Sequence, residues 1–284
     1  MPRCRFALVL AVAAWLTACG EAPHSANPPL KAAPQPVQAP AGQNESQSPA
    51  AIAFGAQMQP QTAYADLRDA VLRAGWLPLQ IAGCAANIGG DAPACRELPE
   101  LDGCSADGAC LMRFGEAASS RVLTVRTYGD LRRWQDGGAA ATLRVVEASV
   151  AALASAPGAA CPGAGFEGFL RAFAADPAQR LRFTAPLVRV MQSRDVFENT
   201  ESYPSVVRAE DFRGFPVTFA EGDFHHVDPA GAIDPVPLPL DLIAEGDGAR
   251  RVSWSYGMSE GNAVTFSPAA DCWQLVEDPD PPLL

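Results

Sequence analysis

Residues 257–261 spell Gly-Met-Ser-Glu-Gly, the G-x-S-x-G pattern in which a serine acts as a nucleophile. In that motif a strand precedes the serine, a helix follows it, and a histidine comes later in the chain. A strand pattern precedes Ser259, but the residues after it alternate as a second strand does. The last histidine is His226 and the only lysine is Lys31, so the chain offers Ser259 no suitable base. We therefore predict a hairpin turn over residues 257–262 and no catalytic serine.

The stretch EGDFHHVDP contains residue types that bind metal ions. Imidazole and carboxylate ligands suit zinc and similar ions, which makes Asp223, His225 and Asp228 candidates for the site of a metal-dependent hydrolase. Adjacent side chains on a strand point to opposite faces, however, so His225 and His226 do not converge on one ion. We predict instead a polar strand end that runs into a proline-rich loop, and no metal.

Residues 163–168 match G-x-G-x-x-G, a pattern found in dinucleotide-binding proteins. Such a site needs a strand directly before the glycines and an acidic residue about 20 positions later. Here Pro162 precedes the glycines and no acidic residue stands at that distance. The pattern predicts a loop that leads into a helix. Without a nucleophile, metal or nucleotide site, we expect a protein that is not an enzyme and has no cofactor.

The first residues of the chain predict an export signal. A basic start is followed by an apolar run that is shorter than the roughly 20 residues a membrane span needs. The order Leu16-Thr17-Ala18-Cys19 resembles the lipobox of bacterial lipoproteins, which implies a signal peptide over 1–18 and lipidation of Cys19. The family pattern places a chain with Gly20 after the cysteine in the outer membrane, facing the periplasm.

Residues 19–60 are rich in Pro, Ala, Gln and Ser and predict a disordered tether. The chain has a formal net charge of -11, and loss of Arg3 and Arg5 with the signal would make it -13. This acidity argues against binding to nucleic acid or to an anionic lipid surface, and it permits a basic partner.

The cysteines that remain after the signal and Cys19 are even in number, which predicts up to three disulfides in an oxidising compartment. Fifteen pairings of six cysteines are possible. The most economical choice keeps every bridge within one predicted domain and joins Cys84 to Cys95, Cys104 to Cys110, and Cys161 to Cys272.

Periodicity predicts two small domains, each a helix followed by an antiparallel sheet, over 61–156 and 157–284. In the first, Thr62 is the predicted N-cap of a helix through AYADLRDAVLRA, and the strands include CLMRF, RVLTVRTYG and the front of ATLRVVEASV. In the second, aromatic residues at helical spacing in GFEGFLRAFAAD precede the strands PLVRVMQS, FPVTFAEG, PLDLIAEG, RRVSWSY, NAVTFSP and CWQLVED. The fold class is therefore α+β.

The second predicted domain, through GFEGFLRAFAADPAQRLRFTAPL, resembles NTF2-like (cystatin-like) lipoprotein domains of unknown function. The first, through YADLRDAVLRAGWLPL, is similar to helix-plus-sheet modules of secreted bacterial proteins. These resemblances imply folds and bring no catalytic residues.

Together these features predict a lipid-anchored periplasmic protein-binding module, an inhibitor or immunity protein against a secreted cell-wall hydrolase. Its partner would be a periplasmic or secreted protein of basic character. One alternative is a lipoprotein for envelope assembly or maintenance, and the other is the metal-dependent hydrolase.

Overall fold

A computed structural model describes residues 60–90, 92–136, 143–154, 160–196, 199–256 and 260–280. These residues form an α+β fold, with five α-helices and fourteen strands in three sheets. The predicted signal peptide, Cys19 and nearly all of the predicted tether lie outside them.

The first part of the fold is a five-stranded sheet with a helix packed on it. Strand β3 is central to it, because the order is β1-β3-β4-β5 and β2 also pairs with β3. The α-helices are α1 (Tyr64–Arg73), α2 (Cys84–Asn87) and α3 (Ala92–Glu97). The strands are β1 (Leu77–Pro78), β2 (Leu101–Cys104), β3 (Ala109–Glu116), β4 (Arg121–Tyr128) and β5 (Arg144–Ala152), and 3-10 turns cover Ala117–Ser119 and Leu131–Asp136.

Helix α1 forms because its apolar residues repeat at helical spacing and face this sheet. Tyr64, Leu67 and Val71 are completely buried against sheet residues such as Phe114. The predicted N-cap at Thr62 is wrong. The capping position is Ala63, which makes no side-chain cap, while the Thr62 carbonyl accepts a hydrogen bond from the Val145 N–H and so continues the sheet.

The second part contains two helices and two sheets. The helices are α4 (Gly165–Ala175) and α5 (Pro177–Arg182), with a 3-10 turn at Gly246–Gly248. A six-stranded sheet has the order β11-β12-β13-β14-β6-β7, and a small sheet has the order β10-β9-β8. The strands are β6 (Thr184–Val196), β7 (Asn199–Arg208), β8 (Val217–Ala220), β9 (Asp223–Val227), β10 (Ile233–Pro237), β11 (Leu240–Ala244), β12 (Arg250–Tyr256), β13 (Glu260–Ala269) and β14 (Cys272–Asp278).

An aromatic core holds α4 on these sheets. Phe169 and Phe173 are fully buried, and their ring centroids lie 5.8 and 5.1 Å from that of Phe266. The residues of the G-x-G-x-x-G pattern form the entry to this helix, as predicted. A Cβ on Gly163 would lie 2.4 Å from the carbonyl carbon of Gly168, so the lack of a side chain at Gly163 allows its close contact with the helix backbone.

Neighbouring strands pair antiparallel with one exception in the six-stranded sheet. Strands β14 and β6 run parallel, through partners such as Leu275 and Thr184. Hydrophobic periodicity does not report strand direction, so this pair was not predictable from it.

A third apolar cluster joins the five-stranded sheet to the six-stranded sheet. It consists of Leu79, Val122, Leu187 and Val206, all nearly or fully buried. Strand β3 contributes Gly115, at which a Cβ would lie 2.5 Å from a methyl group of Val206. All described residues belong to one compact unit, and the predicted domain boundary after residue 156 lies outside them.

The structure contains the three disulfides in the predicted pairing. They join Cys84 to Cys95, Cys104 to Cys110, and Cys161 to Cys272. The third links the loop before α4 to the start of β14, 111 residues later, and Cys272 packs in the aromatic core.

Candidate functional site

The strands on either side of Ser259 form a hairpin. Strand β12 pairs antiparallel with β13, and Tyr256 lies opposite Glu260. Residues 257–259, and with them Ser259, lie outside the described residues. The predicted turn extended too far, because residues 260–262 already belong to β13. A strand, rather than the helix of a nucleophile elbow, follows the motif.

The histidine cluster lies on β9, one strand of a tight hairpin. Residues 221 and 222 connect β8 to β9, and both have positive φ angles, 54° and 99°. This is the backbone geometry of a two-residue hairpin turn, in which glycine suits the second position. Because β9 is a regular strand, its neighbouring side chains project to opposite faces.

The two histidines accordingly have different surroundings. His225 is buried, and its Nδ1–H donates to the backbone carbonyl of Asp234, 2.9 Å away. His226 stacks on Tyr256 with ring centroids 4.1 Å apart. Asp223 is exposed, and exposed Asp228 accepts a hydrogen bond from the Ala232 N–H. Among the described residues, no three His, Cys, Asp or Glu side chains are placed to hold a metal ion.

Strands β10 and β11 expose large apolar side chains to solvent. Ile233 and Val236 on β10 are 52% and 66% exposed, and Leu242 and Ile243 on β11 are 41% and 50% exposed. Both strands lie at the edge of their sheets. Large apolar side chains that are exposed at sheet edges are candidate contact points for other molecules.

The chain around these strands is strongly acidic. No lysine or arginine occurs from residue 214 to residue 249. The carboxylates in this range are all exposed: Glu221, Asp223, Asp228, Asp234, Asp241, Glu245 and Asp247. Exposed apolar side chains within such a negative field favour a partner with positive charge.

The two edge strands differ in their capacity to pair with another strand. Pro235 and Pro237 on β10 have no N–H to donate, so the edge of β10 offers fewer hydrogen bonds to an added strand. Strand β11 contains no proline and pairs on one side with β12, and no described strand pairs with its other side. Leu242 and Ile243 project from opposite faces of β11. An added strand would therefore meet an apolar residue on each face. We refer to residues 240–244 as the β11 edge.

A cavity of about 1000 Å³ opens between α5, the β7–β8 connection, β9 and the end of β12. Its aromatic lining comes from Phe212, Phe215 and Tyr256, the last stacked on His226. Arg180 contributes a guanidinium beside the Phe215 ring, with its Cζ 5.5 Å from the ring centroid. A second cavity of about 880 Å³ lies at the loops around the Cys104–Cys110 disulfide, and its lining is mainly loop backbone and polar side chains.

Two buried carboxyl groups lie away from this cavity. Glu100 accepts hydrogen bonds from the Tyr64 hydroxyl and from Arg68, and burial together with Glu100 holds the pKa of Tyr64 well above its usual value. Asp278 accepts a hydrogen bond from Asn262 at 3.2 Å through Oδ2, while its buried Oδ1 has no partner. Burial raises the pKa of Asp278 to about 6. The pairing of Glu100 with Tyr64 and Arg68 indicates a structural role.

Comparisons of the chain with family models, curated proteins and solved structures gave no match. The predicted resemblances to lipoproteins and to NTF2-like domains therefore stay predictions. Within the described residues, no helix combines the length and apolar character needed to cross a membrane.

Neither the β11 edge nor the cavity was predicted from the sequence. The long stretch without basic residues was visible in the sequence and was a usable signal for the edge. The cavity had no such signal, because its lining comes from segments that are distant in the chain, such as Arg180, Phe212 and Tyr256.

Proposed function

We propose that this chain is a lipid-anchored protein of the bacterial envelope that binds a basic periplasmic or secreted protein through the β11 edge. One observation carries the proposal: an edge strand without proline exposes Leu242 and Ile243 within a segment that has carboxylates and no cations. Apolar contact would supply affinity, and the carboxylates would speed the encounter with a cationic surface.

The edge favours a protein as partner over a small molecule. The strand offers backbone N–H and C=O groups in a row, which another polypeptide satisfies by adding a strand. Leu242 on one face and Ile243 on the other would then specify the side chains of the added strand.

Anchoring and the partner's class rest on the sequence. The lipobox-like Leu16-Thr17-Ala18-Cys19 supports lipidation, and the three disulfides suit an oxidising compartment. A secreted cell-wall hydrolase of basic character fits the charge and the location, so we propose inhibition of such an enzyme as the biological role.

The test begins with a crosslinked pull-down from periplasmic and secreted extracts, with the chain from Gly20 to Leu284 as bait. The captured protein is then purified and its affinity measured against three baits: wild type, Leu242→Ser/Ile243→Ser, and Val150→Ser. Val150 is the matched control, because it is 42% exposed on β5, the edge strand of the five-stranded sheet.

We expect a basic partner, a loss of at least about tenfold in affinity for the double variant, and no loss for Val150→Ser. Association should slow by about tenfold or more when salt rises from 50 to 500 mM. A partner whose affinity is the same for all three baits, or whose association rate ignores salt, contradicts the proposal. Capture of outer-membrane assembly proteins alone would instead support the role in envelope assembly.

A further inference from the structure

The structure also points to a second binding site, independent of the β11 edge. We propose that the cavity lined by Arg180, Phe212, Phe215 and Tyr256 binds an amphipathic organic anion, whose acidic group pairs with Arg180 and whose apolar body packs on the aromatic rings. None of the cavity's lining residues lies on β10 or β11.

Arg180 is a cation without a carboxylate partner among the described residues. Its Nη1 donates to the Phe215 carbonyl at 3.3 Å, and its Nη2 donates to the carbonyls of Ala174 and Val217, each at 2.9 Å. Its buried Nε has no hydrogen-bond partner. These neutral carbonyls fix the guanidinium in place and leave its charge uncompensated.

Burial also removes the Arg180 guanidinium from much of its contact with water. Desolvation lowers the pKa of its guanidinium, and no neighbouring acid offsets this effect. The group still carries its charge at neutral pH, because an arginine titrates far above that range. A half-buried cation of this kind gains more from an anionic ligand than an exposed arginine does, since water screens it less.

Two carboxylates also line the cavity, both at exposed positions. Glu210 is 3.7 Å from the guanidinium of Arg208, and Asp228 accepts the Ala232 N–H. Arg213 adds a second, exposed cation to the rim, held by the carbonyls of Glu210 and Phe212. The lining therefore holds two cations and two carboxylates, and Arg180 is the one charge among these four that is not exposed, so a ligand that enters the cavity meets a positive charge there.

The aromatic and aliphatic residues that line the cavity would contact the apolar body of the ligand. Phe212, Phe215 and the stacked pair of Tyr256 and His226 present ring surfaces, and Leu181 adds an aliphatic side chain that is 54% exposed. The volume of about 1000 Å³ suits a ligand the size of a typical cofactor or drug. The aromatic rings would contact the apolar body of the ligand and the guanidinium would pair with its acidic group, so the cavity suits an amphipathic anion.

Two fluorescent probes test the proposal with the chain from Gly20 to Leu284, which contains every described element. One is 8-anilinonaphthalene-1-sulfonate, an aromatic anion, and the other is N-phenyl-1-naphthylamine, a similar aromatic body without the sulfonate. We expect one sulfonate probe per chain, with at least about fivefold higher affinity than the neutral probe. Arg180→Gln should weaken the sulfonate probe about tenfold and leave the neutral probe within about twofold.

Because Arg180 also holds three backbone carbonyls, a second pair of variants guards against loss of folding. Leu181→Glu places a carboxylate at the cavity from an exposed position, and Leu181→Gln is its uncharged control. The Glu variant should bind the sulfonate probe at least about threefold more weakly than the Gln variant, with equal binding of the neutral probe.

Equal affinity of the two probes for the wild type, binding of several probes per chain, or identical behaviour of the two Leu181 variants would overturn the proposal. These results do not depend on the β11 edge, so they leave the test of the proposed function separate.

Discussion

Replacing Asp278 with asparagine should change how the stability of the protein depends on pH. The carboxyl group is buried at the end of β14, and its Oδ1 has no hydrogen-bond partner. Burial is the largest cause of its raised pKa, which moves from 3.8 to about 6. Nearby Asp280 and Glu277 act in the same direction, while the Asn262 amide opposes it.

The sign of the effect follows from the raised pKa. Between pH 3.8 and about 6, the folded state binds a proton that the unfolded state releases. Ionisation of Asp278 therefore destabilises the fold as pH rises through this window, and the loss is complete above it. The shift of about two pH units corresponds to about 3 kcal/mol as an upper limit, and relaxation around the charge should reduce this to about 1–2 kcal/mol.

Urea unfolding at pH 4, 5, 6, 7 and 8 measures the effect. Asp278→Asn keeps the size of the side chain and cannot ionise, so its stability relative to wild type should increase by about 1–2 kcal/mol from pH 4 to pH 7 and then stay level. Asp271→Asn is the control, because Asp271 is exposed and is not one of the charges that shift the pKa of Asp278, so it should show a smaller change. A difference that is constant across the series, or that grows toward low pH, would refute the reasoning.

Three further predictions concern stability. The double variant Cys161→Ala/Cys272→Ala should lower the free energy of unfolding, measured in urea, by up to about 4.7 kcal/mol, because the disulfide closes a loop of just over 100 residues. Unchanged stability would contradict this prediction. Gly115→Ala should lower the free energy of unfolding by about 1–3 kcal/mol, because the added Cβ would overlap Val206. Gly168→Ala is the control in helix α4: its Cβ would have no neighbour closer than 3.5 Å, so the change should be neutral or stabilising. Glu100→Gln should lower the stability of the fold by about 3 kcal/mol in thermal unfolding, since it removes the buried charge that pairs with Arg68. A change of less than about 0.5 kcal/mol would show that stability does not depend on this pair.

Periodicity predicted the elements that bury one face. Helix α1 and helix α4 were predictable because Leu67 with Val71, and Phe169 with Phe173, recur at helical spacing and lie in the cores. The observed disulfide pairing is the most economical choice among those that keep each bridge within a predicted domain. The two helices depended on a short-range pattern, whereas Cys161 and Cys272 are 111 residues apart and were paired as the two cysteines of the second predicted domain.

Elements without such a pattern were missed. Strand β10 has the sequence IDPVP and was predicted as part of a proline-rich loop, because two of its five residues are prolines. It is a strand because it pairs with β9, and Ile233 lies opposite Val227. Long-range pairing of this kind also creates the parallel β14–β6 contact and the cavity at Arg180. No local propensity in the sequence reports them.

Hydrogen exchange of the β11 backbone amides, with and without the captured partner, tests the proposed function most directly. Peptides that cover residues 240–244 should become protected when the partner is present, while peptides from β5, the comparison edge strand, should exchange at unchanged rates. Protection that appears at β5 or elsewhere and leaves residues 240–244 unchanged would contradict the account.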